Sequence, residues 1–269
     1  MKGWALVTGA SSGIGRQLAI DLAKAGYASI LLARRESALL ELQKEISEKY
    51  QIHCLVLPLD LAAENSTETI VSFLKLHDVS VSVLINNAGF GDHSPFEEAD
   101  IKKLTAMINL NCTKLVELTH AMIPLMPKGS YIMNVASLAG FMPGPLMTVY
   151  YATKAFVLSF SQAIHTELLP LKISSSALCP GPVHTEFGKV ASTGGIGAFD
   201  TISAQNVEEV SALALKQMFK RRQVILTHPT HNAVVFLLRL VPRHIIGPIV
   251  YKAQSKRLAK KESDKSSGH

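Results

Sequence analysis

Aromatic side chains are scarce in this chain, only 6% of its 269 residues with a single Trp, and charged residues are few at 18%. So low a charge beside 48% hydrophobic residues excludes an intrinsically disordered chain, which needs the opposite balance. The apolar content is mostly Leu, Ile, Val and Ala, a mix that suits strands covered on both faces by helices. Cysteine is nearly absent. Cys54, Cys112 and Cys179 are odd in number and widely spaced, which excludes a disulfide framework and offers no ligand pattern for a metal. They read as buried small hydrophobes in a reducing compartment, with the cytoplasm as the expected location and no metal expected.

Long apolar runs are missing too. Trp4-Ala5-Leu6-Val7 stops at Thr8-Gly9, too short for the core of a secretory signal. The apolar stretch after Ala233 is broken by Arg239, Pro242, Arg243 and His244, so nothing approaches the ~20 residues needed to span a bilayer. The net charge of +6 lacks a broad surface to sit on. Lys252 to His269 holds six Lys/Arg and two Asp/Glu, which is +4, leaving only +2 for the rest. A body that neutral excludes a nucleic-acid partner.

What is present is alternation. Ala5–Val7, Ser29–Ala33, His53–Leu57, Val81–Asn86, Ser130–Ala136, Ile173–Leu178 and Gln223–Thr227 read as strands. Between them, Ile14–Ala25, Ser37–Tyr50, Thr67–Leu76, a long stretch from Pro95 to Met126, and Val149–Leu169 read as helices. Strands alternating with helices of ten or more residues predict an α/β fold, a doubly wound parallel sheet of about seven strands. No internal repeat is visible. The expected organisation is one domain over residues 1–230, followed by an apolar and basic extension, 231–269, with a disordered end.

Directly after the first strand comes Thr8-Gly9-Ala10-Ser11-Ser12-Gly13-Ile14-Gly15, opening a helix. Glycines there permit a tight turn and let backbone N–H groups approach a pyrophosphate at the positive end of the helix. The spacing is G-x-x-x-G-x-G. That loop, with Asn86-Asn87-Ala88-Gly89, Ser137, Tyr150-x-x-x-Lys154 and Pro180-Gly181-Pro182-Val183-His184-Thr185 in order, resembles the short-chain dehydrogenase/reductase family. The region Tyr150 to Glu186 is similar to a broad bacterial group of such reductases with poorly defined substrates, and the likeness weakens after Thr227.

The resemblance implies a dinucleotide held by Gly9, Ser11, Ser12, Gly13, Ile14, Gly15, Asn87, Ala88, Gly89, Pro180, Gly181, Val183 and Thr185, with Asp60 near the adenine ring. The second strand ends Leu32-Ala33-Arg34-Arg35, where NAD enzymes place an acid for the ribose hydroxyls. Arg34 presents a planar, always-charged fork to a 2′-phosphate, and Arg16 lies close by in sequence. NADP(H) is therefore expected over NAD(H), although Glu36 remains in reach of a ribose.

Tyr150 and Lys154 are four apart on a predicted helix and share one face. The ammonium is expected to lower the tyrosine pKa and make it a better general acid. By resemblance Lys154 also holds the nicotinamide ribose, Ser137 binds the substrate oxygen, and Asn111, in preference to Asn109, supports a water leading to the lysine. Tyr151 has no lysine four residues on. His93 and His184 are expected to be loop residues.

Three loops are implied to line the pocket: Phe90–Phe96, Leu138–Thr148, and Glu186–Gln205, whose glycines suggest a lid. The second is almost uncharged, which favours an apolar carbonyl substrate. The expectation is an NADP(H)-dependent oxidoreductase of carbonyl reductase type, working between a carbonyl and a secondary alcohol and associating as a homo-oligomer. The alternatives are a non-catalytic NADP(H)-binding sensor, or a membrane-surface protein whose tail is the working part. Peripheral membrane contact through that tail stays open beside packing on the body, over the substrate mouth or against a second subunit.

Overall fold

Each strand expected from the sequence is present in the computed structural model, which describes residues 2–185 and 204–266, the latter part with backbone alone for Arg243 and residues 256–266. They are β1 (Trp4–Thr8), β2 (Ala28–Ala33), β3 (Cys54–Pro58), β4 (Val81–Asn86), β5 (Tyr131–Val135), β6 (Ser174–Cys179) and β7 (Val224–Leu226). All pair in parallel in the order β3-β2-β1-β4-β5-β6-β7. Both faces of the sheet are covered, and the central strands are mostly apolar; in β2 every residue, Ser29 included, is buried.

Side chains alternate between two cores. Ala5, Val7, Leu31, Val83, Ile85 and Met133 face α1 (Gly13–Lys24) and α2 (Glu36–Tyr50). Leu6, Ile30, Leu32, Leu84 and Ile132 face α3 (Ser66–Leu76) and α5 (Lys114–Met122), while α4 (Ile101–Ile108) precedes α5 and packs on α6 (Thr148–Glu167). α6 packs through Val157 and Leu158 on Ala177 and Cys179 of β6.

The expected continuous helix from Pro95 to Met126 is a correction. Phe96–Glu98 is a single 3₁₀ turn, and α4 starts only at Ile101, where the Asp100 carboxylate accepts from the Lys102 N–H. α4 and α5 are then joined by a π-helical turn, Asn109–Thr113. A helix the sequence reading missed, α7 (Val207–Phe219), joins the first core through Ala214, Leu215 and Met218.

The extension is helical as well. α8 (Pro229–Leu240) and α9 (Arg243–Ser266) follow β7, so the end expected to be disordered continues as helical backbone to Ser266. Ile246 and Val250 of α9 pack on Ala139, Met142, Met147 and Tyr151 of the expected pocket wall. The strand order reverses between β1 and β4, and open α/β sheets bind their ligands outside the carboxyl ends of the strands at such a point.

Candidate active site

The glycine loop occupies that crevice. Gly9 and Gly13 have positive φ, +66° and +55°, a conformation that side chains with a Cβ resist. Gly15 answers to space instead, because a Cβ there would fall 2.4 Å from the Gly9 carbonyl oxygen. Ser12 at the helix N-cap gives no side-chain cap, and the first turn of α1 has no acidic residue. The end of α1 therefore suits an anion. An open cleft over it is lined by Ser11, Ser12, Gly13, Arg16, His184 and Thr185, among others, and the Thr185 side chain lies where a Cβ on Gly13 would touch it at 3.2 Å. These residues fit a dinucleotide diphosphate.

The loop is held by the end of β4. Asn87 Nδ2 donates to the carbonyls of Thr8 (3.0 Å) and Gly9 (3.2 Å), while the N–H groups of Asn87 and Ala88 donate to Thr8 Oγ1. Thr8 was not singled out by the sequence, since a threonine at a strand end is commonplace. Beneath it Asn86 donates to Asn134 Oδ1 and Thr119 Oγ1, a buried bridge across β4, β5 and α5.

At the end of β2 the two arginines separate. Arg34 is exposed, whereas Arg35 donates to the Ser11 carbonyl at 3.1 Å and lies along the glycine loop. Arg35 was the residue overlooked. Arg16, expected as a second positive charge, is ion-paired with Glu45. Glu36 begins α2, where the helix dipole favours an acid. Asp60 is exposed and its carboxylate accepts from the Ala62 N–H, so in this structure it serves a turn.

The second group of residues gathers at the ends of β5 and β6. Ser137 follows β5; its Oγ accepts from the Ala139 N–H at 3.1 Å and lies 3.5 Å from the Pro180 carbonyl. Gly181 sits so close to buried His231 of α8 that a Cβ would fall 2.8 Å from the ring. Tyr150 lies half-buried in the first turn of α6, beside a small cavity lined by Phe96, Leu104, Met107, Leu146 and Met147. Lys154, buried, donates to the Val135 carbonyl at 2.7 Å, with its Nζ 5.7 Å from the centre of the Tyr150 ring.

Electrostatics here depart from the sequence expectation. Burial pushes the Tyr150 hydroxyl well above the ordinary tyrosine value; a hydrogen bond from Ser137 opposes this and Tyr151 adds to it. The expected lowering by Lys154 is thus a correction: the ammonium is turned to Val135, and desolvation wins. Burial also brings Lys154 down to about 8. The neighbouring thiols Cys112 and Cys179 are pushed up to about 11 and about 12, so they stay protonated.

Asn111 and Asn109 differ in their contacts. Asn111 Nδ2 donates to the Phe90 carbonyl (2.9 Å) and Thr153 Oγ1 (3.1 Å), and its Oδ1 accepts from the Phe90 N–H. It sits within the π turn, next to Gly89, where a Cβ would meet Asn111 Oδ1 at 2.8 Å and Lys154 Nζ at 3.9 Å. Asn109 reaches only the Ala62 carbonyl, at 3.4 Å.

Of the histidines, His93 lies in a loop, as expected, and is buried there. In the same loop Asp92 is paired with Lys103 and accepts from Ser94 Oγ; burial alone would raise its pKa, but these partners hold it below the usual carboxylate range. The expected lid, Glu186–Gln205, lies outside the described residues except for its last two. Among the described residues no group of His, Cys, Asp or Glu is arranged to hold a metal, and no helix is long and apolar enough to cross a membrane.

Comparison with known proteins places these features in a family. The chain is 35% identical over 201 residues to sulfoacetaldehyde reductase 2 of Chromohalobacter salexigens, covering 73% of this chain and 79% of that protein. It is 33% identical over 193 residues to the very-long-chain 3-oxoacyl-CoA reductase of Bos taurus, covering 70% of this chain but 61% of that longer protein. Among solved structures, a short-chain dehydrogenase from Sphingobium yanoikuyae in complex with NADPH superposes with a TM-score of 0.76 at 28% identity, over 90% of this chain and 97% of that one. The bulky-bulky ketone specific alcohol dehydrogenase of Comamonas testosteroni gives 0.75 at 28% identity, over 88% and 92%. The model of the short chain dehydrogenases matches residues 3–195, and with so much of the chain accounted for, this protein belongs to that family of oxidoreductases.

Proposed function

We propose that the protein is an NADP(H)-dependent carbonyl reductase acting on an apolar ketone or aldehyde, with Asn111, Ser137, Tyr150 and Lys154 as its working residues. The observation that carries this reading is the gathering of Ser137, Tyr150 and Lys154 near the ends of β5 and β6, with the Lys154 ammonium close to Gly89, two residues on from the Asn87 that clamps the glycine loop. The residues of the glycine loop would hold a dinucleotide there, whose nicotinamide would supply or accept the hydride. Tyr150 would give the substrate oxygen its proton; the hydroxyl is protonated in the cofactor-free protein, and burial leaves it a weaker acid than an ordinary tyrosine. Ser137 binds the same oxygen. Lys154 would hold the nicotinamide ribose and return a proton to Tyr150, with Asn111 fixing the Phe90 backbone and Thr153 beside it.

Gly9, Ser11, Ser12, Gly13, Ile14 and Gly15 would cradle the diphosphate, and Asn87, Ala88, Gly89, Pro180, Gly181, Val183 and Thr185 the nicotinamide half. Arg34 and Arg35 put two cations and no acid at the end of β2, which supports NADP(H), with its 2′-phosphate, over NAD(H). The cavity beside Tyr150 is lined by Asp92, Ser94 and Thr148 as well as by apolar side chains and by no Lys or Arg, which disfavours an anionic substrate. Three buried, free cysteines are consistent with the cytoplasm. A cofactor sensor without turnover would have no task for Ser137 and Tyr150. Purified protein with NADPH and NADH and a panel of ketones and aldehydes tests the reading. Oxidation of NADPH by apolar carbonyl compounds is expected; binding of the cofactor with no turnover on any would overturn it.

A further inference from the structure

We propose that α8 and α9 form a docking surface for an anionic lipid bilayer. The two helices carry two apolar stripes, and the body uses only one. Val235, Ile246 and Val250 are buried, the last two against the substrate loop, and Gln254 donates to the Tyr151 hydroxyl at 3.3 Å. The other stripe faces solvent: Phe236 is 61% exposed, Leu240 66% and Ile249 62%. Phe236 and Leu240 are four apart on α8, and Ile245 and Ile249 four apart on α9, so each pair shares a helix face. Large apolar side chains exposed side by side mark an interaction site.

Charge identifies the occupant. From Pro229 to Lys261 the chain holds seven Lys and Arg and no Asp or Glu. Arg239 lies within the Phe236–Leu240 face, and exposed Lys252 follows Ile245 and Ile249 at helical spacing. Cations bordering large apolar side chains fit a bilayer interface, where the apolar groups enter between lipid heads and the cations meet phosphates. A second copy fits poorly. A two-fold contact sets a patch against itself, here bringing cations to cations with no carboxylate on the segment before Glu262 to offset them. Neither helix is long and apolar enough to cross a membrane, and α9 contains Pro248 near its start, so the surface lies along the bilayer.

The proposal does not depend on the reaction, and flotation of the whole protein tests it without turnover. Vesicles of phosphatidylcholine with and without phosphatidylglycerol are compared at low and high salt. The protein is expected to float with the phosphatidylglycerol vesicles at low salt and to stay behind otherwise. Arg239→Gln with Lys252→Gln should weaken binding about tenfold or more, since each cation near an anionic surface contributes roughly fivefold. Phe236→Ser with Ile249→Ser should weaken it as well. Both pairs are exposed, so their melting temperatures should match the parent and exclude misfolding as the cause. Failure to float with either vesicle, or equal binding by the Arg239/Lys252 variant, would overturn the proposal. So would a solution dimer that Phe236→Ser dissociates, which would assign the surface to a second copy.

Discussion

Two tyrosines follow one another at the start of α6, and their surroundings give them different work. Tyr151 is 5% exposed, with its ring packed so closely on Gly144 that a Cβ there would fall 2.1 Å away, and its hydroxyl accepts from Gln254. Tyr150 is hydrogen-bonded by Ser137 and borders the cavity. Tyr150→Phe is expected to lower kcat by roughly 10²-fold or more, the usual scale of general acid catalysis, with dinucleotide affinity unchanged in a titration. Tyr151→Phe should keep most activity, and the reverse pattern would mean that the wrong tyrosine is assigned. Arg35→Ala should weaken NADPH more than NADH, by about ten- to a hundredfold for one charged hydrogen bond, and equal weakening would tie Arg35 to the loop rather than the phosphate. Lys154 yields a pH prediction. Burial lowers its folded-state pKa to about 8 from 10.5, so the buried ammonium destabilises the cofactor-free protein fully below pH 8, and the effect fades as the pH rises towards 10.5. Lys154→Met should therefore raise Tm at pH 7 while abolishing turnover, with an advantage that shrinks above pH 8. An advantage constant with pH would place its cause elsewhere.

The π turn between α4 and α5 shows what a sequence pattern conveys and what it leaves out. The apolar spacing from Ile101 to Met122 is helical on both sides of the turn, so a period count reads one helix. The extra residue at Asn109–Thr113 is a tertiary matter: it lets buried Asn111 reach the Phe90 backbone and Thr153. Motif spacing did single out Asn111, while its partners Phe90 and Thr153 lie far along the chain and left no local sign. α7 was legible and overlooked: the Asn206 side chain accepts from the Glu208 N–H, acids fill the first turn, and Val210, Ala214 and Met218 recur every four residues. Arg35 was passed over because adjacent arginines look alike until their directions are known. Asn111→Ala should leave the Phe90 N–H and carbonyl unpaired, at about 1–3 kcal/mol for each such group. Urea unfolding should register the loss, together with lower kcat. Unchanged stability would mean that the clamp on Phe90 is dispensable.

At the scale of the molecule, the extension behaves as part of the domain. His231 is wholly buried against Gly181, and α9 covers Met142 and Met147. A chain ending at Leu226 uncovers this packing, and with roughly 1.5 kcal/mol or more for each large apolar side chain exposed its Tm should fall by several degrees. Calorimetry and the KM of a working substrate should move together; a shortened chain with both unchanged would make the extension an appendage. The sheet order also bears on how the chain is born. β1 pairs with β2 on one side, but its other neighbour, β4, ends at Asn86, and Asn87 is the residue that clamps the glycine loop. At about 5–20 residues per second of synthesis, the first strand waits several seconds with one edge open. The clamp of Asn87 on the glycine loop can then form before Tyr150 has been made, so a nascent chain shapes one wall of the crevice ahead of the residues at the start of α6, while Thr185, which lies against Gly13, is made last of these.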